Sequence, residues 1–139
     1  MQSQARYQRN LRTLSFPLPW WVCGVGYVLF LVGMGIVTWA EAVNKFFEPT
    51  VRIQADRGQR VIDSGPYAVV RHPLYFGALF YVAATSLVLG SWWGLATVPL
   101  VALGLAIRIG VEEEALRKGQ QGYSDYARRV RWRLIPFIW

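Results

Sequence analysis

Two long stretches without a charged side chain constrain this chain more than any other feature. Residues 13–40 and residues 73–107 contain no Asp, Glu, Lys, Arg or His. A helix that crosses a bilayer needs about 20 consecutive apolar residues, so both stretches are long enough. We therefore expect an all-α integral membrane protein, one domain over residues 1–139, with about three transmembrane helices and a helical C-terminal segment in the cytosol.

The first stretch predicts a span over about residues 14–40. A secretory signal peptide is the alternative, but its apolar region is usually only ~7–15 residues long, so we expect a retained span. Four glycines, Gly24, Gly26, Gly33 and Gly35, lie in this stretch. They lack the spacing and the preceding strand of a dinucleotide-binding loop, and small residues at helix-packing positions are the better interpretation.

The second stretch is too long for one span. As a single helix it would extend about 50 Å at ~1.5 Å per residue, against a hydrocarbon core of ~30 Å. The segment LGSWWG at residues 89–94 contains turn residues and two tryptophans suited to the membrane interface. We predict a helical hairpin over about residues 73–116, with arms over about 73–89 and 93–116.

Basic residues indicate the orientation. Loop 41–72 and the segment from residue 108 onward carry most of the cations, whereas the hairpin turn carries none, which places both basic segments in the cytosol. The same rule disfavours the resulting external position of Arg6, Arg9 and Arg12. The net charge of +7 favours anchoring to anionic lipid over nucleic-acid binding. We expect an inner or cytoplasmic membrane protein with a cytosolic loop 41–72 and C-terminal segment 117–139.

Arg71, His72 and Pro73 stand where the second stretch begins. Proline is favoured at the first helical position, so His72 is expected to be the N-cap residue, beside free backbone N–H groups that attract an anion. The alternative is that Arg71 and His72 only cap the helix and extend towards lipid phosphates. With a single histidine and no zinc or calcium spacing, we expect no metal site.

A second polar group follows the returning helix. Arg108 and Glu112 are four residues apart and share a helix face, with Glu113 one position further round. A hairpin brings its two ends together, so Arg71, His72, Tyr75, Arg108 and Glu112 are expected to line one interfacial pocket. Such a pocket, basic on one side and acidic on the other, suits a zwitterion. The alternative for Tyr67 and Tyr75 is the aromatic belt of a membrane protein.

Two motifs at hairpin spacing carry a family resemblance. GPYAVVRHPLYFG, followed by EEEAL and GYSDYARRVRWRLIP, resembles the isoprenylcysteine carboxyl methyltransferase family. Its relatives include phospholipid N-methyltransferases and bacterial thiol methyltransferases, and the resemblance covers roughly residues 44–139. It implies a membrane-embedded methyltransferase without a Rossmann fold, which uses S-adenosylmethionine and methylates a lipophilic or small acceptor at the interface.

The resemblance also implies site residues. The family's cofactor contacts fall on Gln59, Tyr67, His72, Pro73, Leu74, Tyr75 and Glu112, with Arg108 near the acceptor.

The chemistry of the residues adds to this. S-adenosylmethionine carries a carboxylate for the basic helix mouth at Arg71 and an ammonium for Glu112 or Glu113, and tyrosines suit its sulfonium and adenine. Arg108 and Glu112 are the candidate catalytic residues. An ionised carboxylate acceptor needs no general base and fits Arg108 as counter-ion. A phospholipid amine, a small thiol and a non-catalytic membrane module remain alternatives, and the oligomeric state stays open.

Overall fold

Helices account for most of the structure. The computed structural model describes residues 19–46 and 60–139. Within them lie the helices α1 (Trp20–Val43), α2 (Pro73–Val88), α3 (Trp92–Gly119) and α4 (Tyr123–Arg129), and a 3₁₀ turn (Gly65–Ala68). Helices α1 and α3 are long and apolar enough to cross a membrane, and α2 is a shorter apolar helix. The predicted all-α fold class is confirmed.

The hairpin turns where the sequence indicated. Helix α2 ends at Val88 and α3 begins at Trp92. Gly90 has a φ of 64°, which glycine adopts without strain. The Ser91 hydroxyl then accepts a hydrogen bond from the Gly94 amide at 3.0 Å and so caps α3. Helix α3 continues to Gly119 rather than 116, so Arg117 and Lys118 are also helical.

The first predicted span differs at its end. Helix α1 runs to Val43 rather than residue 40, so the start of the expected loop 41–72 is helical. The start of the predicted span, residues 14–18, lies outside the described residues. The backbone N–H of Asn44 makes the last helical bond of α1, to the Ala40 carbonyl, and the Phe46 N–H donates to the Asn44 side chain just beyond the helix.

Glycines let α1 approach α2 closely. Helix α2 lies between α1 and α3. A Cβ added at Gly33 would lie 2.8 Å from the Cβ of Phe80 and 3.0 Å from the Gly77 carbonyl oxygen. Gly26 is similarly close to α2, whereas Gly24 and Gly35 have nothing within 4 Å. The packing interpretation is therefore confirmed for Gly26 and Gly33 and wrong for Gly24 and Gly35, which face outward.

This difference gives a matched pair of variants. Gly33→Leu is expected to destabilise the protein by about 1–3 kcal/mol, because the new side chain would push α1 and α2 apart. Gly35→Leu adds the same side chain on the open face and should leave stability nearly unchanged. Thermal unfolding of both variants in detergent measures the difference. Equal destabilisation by the two substitutions would contradict the α1–α2 packing described here.

The chain after α3 folds back over the ends of the hairpin. Tyr123, Tyr126, Ala127 and Val130 form a buried cluster, with Val61 and Leu116 packed against it. A parallel bridge joins Val70 to Trp132. The C-terminal segment thus lies against the first turn of α2 and the last turns of α3.

Candidate functional site

Backbone pairing fixes the Arg71-His72-Pro73 segment. The Arg71 amide donates to the Trp132 carbonyl and the His72 amide to the Arg133 carbonyl, each at 2.9 Å. His72 is the N-cap residue of α2 and Pro73 is the first helical residue, as predicted. The start of α2 is therefore held by Trp132 and Arg133 of the C-terminal segment, 61 residues further along the chain.

Arg71 and Glu113 form a buried ion pair. Arg71 Nε donates to Glu113 Oε1 at 2.7 Å and Nη2 donates to Oε2 at 3.2 Å. The two side chains are only 5% and 4% exposed. Arg71 Nη1 also donates to the carbonyls of Ala127 and Val130, at the end of α4. A single guanidinium therefore ties together the mouth of α2, the end of α3 and the end of α4.

His72 belongs to the same cluster. Its Nε2 lies 3.3 Å from Glu113 Oε1, and its ring stacks on Tyr75 with centroids 5.6 Å apart and planes 9° apart. The side chain makes no cap hydrogen bond, and both Arg71 and His72 are buried. The alternative that these two residues only cap the helix and extend to lipid phosphates is therefore wrong. The backbone of His72 occupies the cap position, but its imidazole points at Glu113.

Tyr75 bridges the second polar group. Arg108 Nε donates to the Tyr75 hydroxyl at 2.7 Å, and that hydroxyl donates to Glu112 Oε2 at 2.8 Å. The Arg108 guanidinium also lies 5.7 Å from the centre of the Tyr75 ring. Arg108 is exposed, whereas Tyr75 and Glu112 are half-buried. The structure thus brings together the residues expected from the hairpin, with the Tyr75 hydroxyl between the arginine and the glutamate.

The remaining predicted residues have different surroundings. Tyr67 is buried, and its hydroxyl accepts a hydrogen bond from Asn44 Nδ2 at 3.1 Å. Its backbone carbonyl accepts a hydrogen bond from the Tyr126 hydroxyl at 2.8 Å. Burial raises the pKa of Tyr67 above its usual value. Tyr67 therefore packs inside the protein. Pro73 is fully buried and Leu74 half-buried. Gln59 lies outside the described residues.

Three residues near Glu113 were not predicted. Arg133 Nε lies 3.4 Å and Arg117 Nη2 3.8 Å from Glu113 Oε2, and both arginines are about two fifths exposed. Tyr123 is buried, and among the described residues its hydroxyl has no hydrogen-bond partner. Burial, and then the charge of Glu113, raise the pKa of Tyr123, so its hydroxyl stays protonated. Only Arg117 could have been found from the sequence, because it lies four residues after Glu113 and so shares its helix face.

The cluster has an excess of positive charge. Arg71, Arg117 and Arg133 all face the single carboxylate of Glu113. Because Arg117 and Arg133 keep exposed surface, this edge of the site can receive an anionic group. The neighbouring edge presents the Glu112 carboxylate and the Tyr75 ring, which suit a cation. The described residues therefore match the two charges of a zwitterionic ligand.

The sequence has identifiable relatives. The sequence model of the phospholipid methyltransferase family matches residues 21–121. The chain belongs to this family of membrane methyltransferases, and the resemblance to isoprenylcysteine methyltransferases is confirmed. It is similar to protein-S-isoprenylcysteine O-methyltransferase B of Arabidopsis thaliana, with 26% identity over 86% of this chain and 61% of that protein.

Two further relatives extend the comparison. A "Probable protein-S-isoprenylcysteine O-methyltransferase" of Oryza sativa subsp. indica is 32% identical over 86% of this chain and 63% of its own length. The chain thus spans about three fifths of these plant proteins. A Delta(14)-sterol reductase of Mus musculus is 27% identical over 91% of this chain and 32% of that protein. Because a protein named for another reaction shares the sequence pattern, the reaction has to be argued from the side chains.

Proposed function

We propose that this chain is an S-adenosylmethionine-dependent membrane methyltransferase that methylates a carboxylate on a lipophilic acceptor, as in isoprenylcysteine. The observation that carries the proposal is the hydrogen-bonded series from Arg108 through Tyr75 to Glu112, at the mouth of the hairpin. It places a cation and an anion at a half-exposed position beside apolar helices. Membership of a methyltransferase family and the names of the plant relatives support it.

The residues divide into a supporting pair and a binding group. Arg71 and Glu113 hydrogen-bond to each other, and Arg71 also bonds to α4, so we assign this pair to holding the site together. Glu112 is the partner for the cofactor ammonium, and the exposed edges of Arg117 and Arg133 are partners for its carboxylate. The stacked rings of His72 and Tyr75 offer a face to the sulfonium or adenine, with Pro73 and Leu74 beside them.

The proposed reaction needs no general acid or base. The cofactor supplies a methyl group on a positively charged sulfur. Transfer is an in-line displacement, so orientation and exclusion of water account for much of the acceleration. A carboxylate acceptor already carries its negative charge, and Arg108 can hold it by paired hydrogen bonds. Following the positive-inside expectation, we place this site on the cytosolic side of the membrane.

A second acceptor class deserves a direct comparison. The family is described as phospholipid methyltransferases, which favours a phospholipid amine. An amine must lose a proton before or during transfer, whereas a carboxylate does not. Methyl transfer from radiolabelled cofactor to prenylcysteine, phosphatidylethanolamine and a small thiol, each in detergent, distinguishes the three acceptors. Prenylcysteine is the expected substrate. If only phosphatidylethanolamine were methylated, the phospholipid amine would be the acceptor instead.

Cofactor binding has its own test. Isothermal titration in detergent is expected to show saturable binding of S-adenosylmethionine. Glu112→Gln should weaken it at least tenfold, about 1.4 kcal/mol, because it removes the charge opposite the ammonium. The matched control is Glu114→Gln, since Glu114 lies on the same helix but pairs with Lys118 at the surface. If the folded protein showed no saturable binding at millimolar cofactor, the non-catalytic membrane module would be the better interpretation.

A further inference from the structure

The last residues of the chain form a closed turn with an apolar apex. The Trp139 carbonyl oxygen accepts hydrogen bonds from the amides of Arg133, Leu134 and Ile135. The Ile135 carbonyl accepts in return from the amides of Ile138 and Trp139. These bonds fix the turn and leave Phe137 84% exposed and Ile138 74% exposed at its apex. We call residues 135–139 the C-terminal tip.

The tip holds its exposed phenylalanine in an unfavourable backbone conformation. Phe137 has a φ of 66°, in the left-handed region that bulky residues rarely adopt. Its ring packs on Trp132 at a centroid distance of 5.6 Å. Glycine would adopt this φ without strain. A strained, exposed aromatic side chain at a fixed turn is unusual on a surface that faces water and needs a physical reason.

The position of the tip shows what surrounds it in the fold. Trp132 and Arg133 pair through their backbone with Arg71 and His72, which directly precede the apolar helix α2. The tip therefore emerges beside the point where the chain enters the apolar region. Val69, 52% exposed, adds apolar surface before α2, and Arg131 is exposed on the chain that leads to the tip. Aromatic and aliphatic side chains with a nearby cation suit the boundary between headgroups and acyl chains.

We propose that the C-terminal tip inserts Phe137 and Ile138 into the leaflet at the mouth of the hairpin and thereby anchors the C-terminal segment over the site. The proposal concerns a contact with lipid and does not depend on the reaction. Because Arg133 and Trp139 are bound within the same turn, with the guanidinium 5.1 Å from the Trp139 ring, insertion would also hold Arg133 near Glu113.

Spin labelling of the full chain in vesicles tests the insertion. In a Cys23→Ser background, which removes the single native cysteine, a nitroxide is attached to Ile138→Cys or to Asp125→Cys. Asp125 is the control because it is exposed on α4 and is not part of the tip. In vesicles of phosphatidylcholine and phosphatidylglycerol, the label at 138 is expected to collide preferentially with oxygen. Its accessibility to a water-soluble nickel chelate should be several-fold lower than that of the label at 125.

A second variant separates insertion from folding. Phe137→Gly relieves the backbone strain but removes the aromatic anchor, so the label at 138 should become more accessible to nickel while the protein stays folded. Equal nickel accessibility at 138 and 125 would overturn the proposal, because the tip would then lie in water. A label at 138 shielded from both reagents would also overturn it, since the tip would be covered by protein, such as a second copy of this chain.

Discussion

Glu113→Gln is expected to cost about 3–5 kcal/mol of folding stability, because it leaves the buried Arg71 guanidinium without its counter-ion. Both side chains are about one twentieth exposed, and Arg71 also donates to two carbonyls at the end of α4. The neutral amide keeps the shape of the side chain but accepts fewer hydrogen bonds from Arg71. Chemical unfolding in detergent, followed by circular dichroism, measures the loss.

The neighbouring acidic residue provides the control. Glu114 is one position along α3 and largely exposed, so Glu114→Gln should leave the unfolding transition unchanged. The double variant Arg71→Met, Glu113→Leu removes both charges, and it should recover part of the lost stability because no isolated charge stays buried. Recovery should be incomplete, because the Ala127 and Val130 carbonyls lose the donor that Arg71 supplied. If Glu113→Gln unfolded at the wild-type midpoint, Arg71 and Glu113 would not be the supporting pair of this site.

Local rules of sequence account for much of the fold. The length of the second charge-free stretch required a hairpin, and Gly90 and Ser91 marked its turn. Proline at position 73 located the start of α2, so the cap position of His72 followed from one residue. Helical periodicity placed Arg108 and Glu112 on one face. Each of these features depends on residues close together in sequence, where helix geometry fixes the outcome.

The different roles of Glu112 and Glu113 could not be predicted in the same way. Glu112 and Glu113 are adjacent, and sequence assigned both to the cofactor. Which of them turns inward depends on how α4 and the C-terminal segment pack on α3. The ion pair with Arg71 joins residues 42 positions apart, and the bonds from Arg71 to α4 span 56 and 59 positions. No local pattern encodes such contacts. A physical clue existed, since a buried arginine requires an acceptor.

The two polar groups meet at one pair of rings. His72 contacts Glu113 in the buried group, and its ring stacks on Tyr75, which bridges Arg108 and Glu112 in the half-exposed group. A change at His72 would therefore disturb stability and binding together. A change limited to the Tyr75 hydroxyl acts only on the half-exposed group, so it is the sharper test of catalysis.

Tyr75→Phe is accordingly expected to lower turnover about 10- to 100-fold with little loss of stability. The hydroxyl joins two charged side chains, and hydrogen bonds to charged groups contribute ~1.5–3 kcal/mol. Phenylalanine keeps the ring that stacks on His72 and lies near Arg108. Without the hydroxyl, Arg108 loses its hydrogen bond to residue 75. If Arg108 holds the acceptor as proposed, the KM for the acceptor should therefore rise as kcat falls.

Tyr81→Phe is the matched control for this variant. Tyr81 lies on the same helix, but its ring contacts Phe30 of α1, with centroids 5.2 Å apart, rather than the polar groups. Loss of its hydroxyl should therefore leave methyl transfer at the wild-type rate. Arg108→Lys should reproduce the rise in KM, because a single ammonium replaces the planar fork that holds a carboxylate. Wild-type kinetics in Tyr75→Phe with every acceptor tested would mean that the Arg108–Tyr75–Glu112 series takes no part in the reaction.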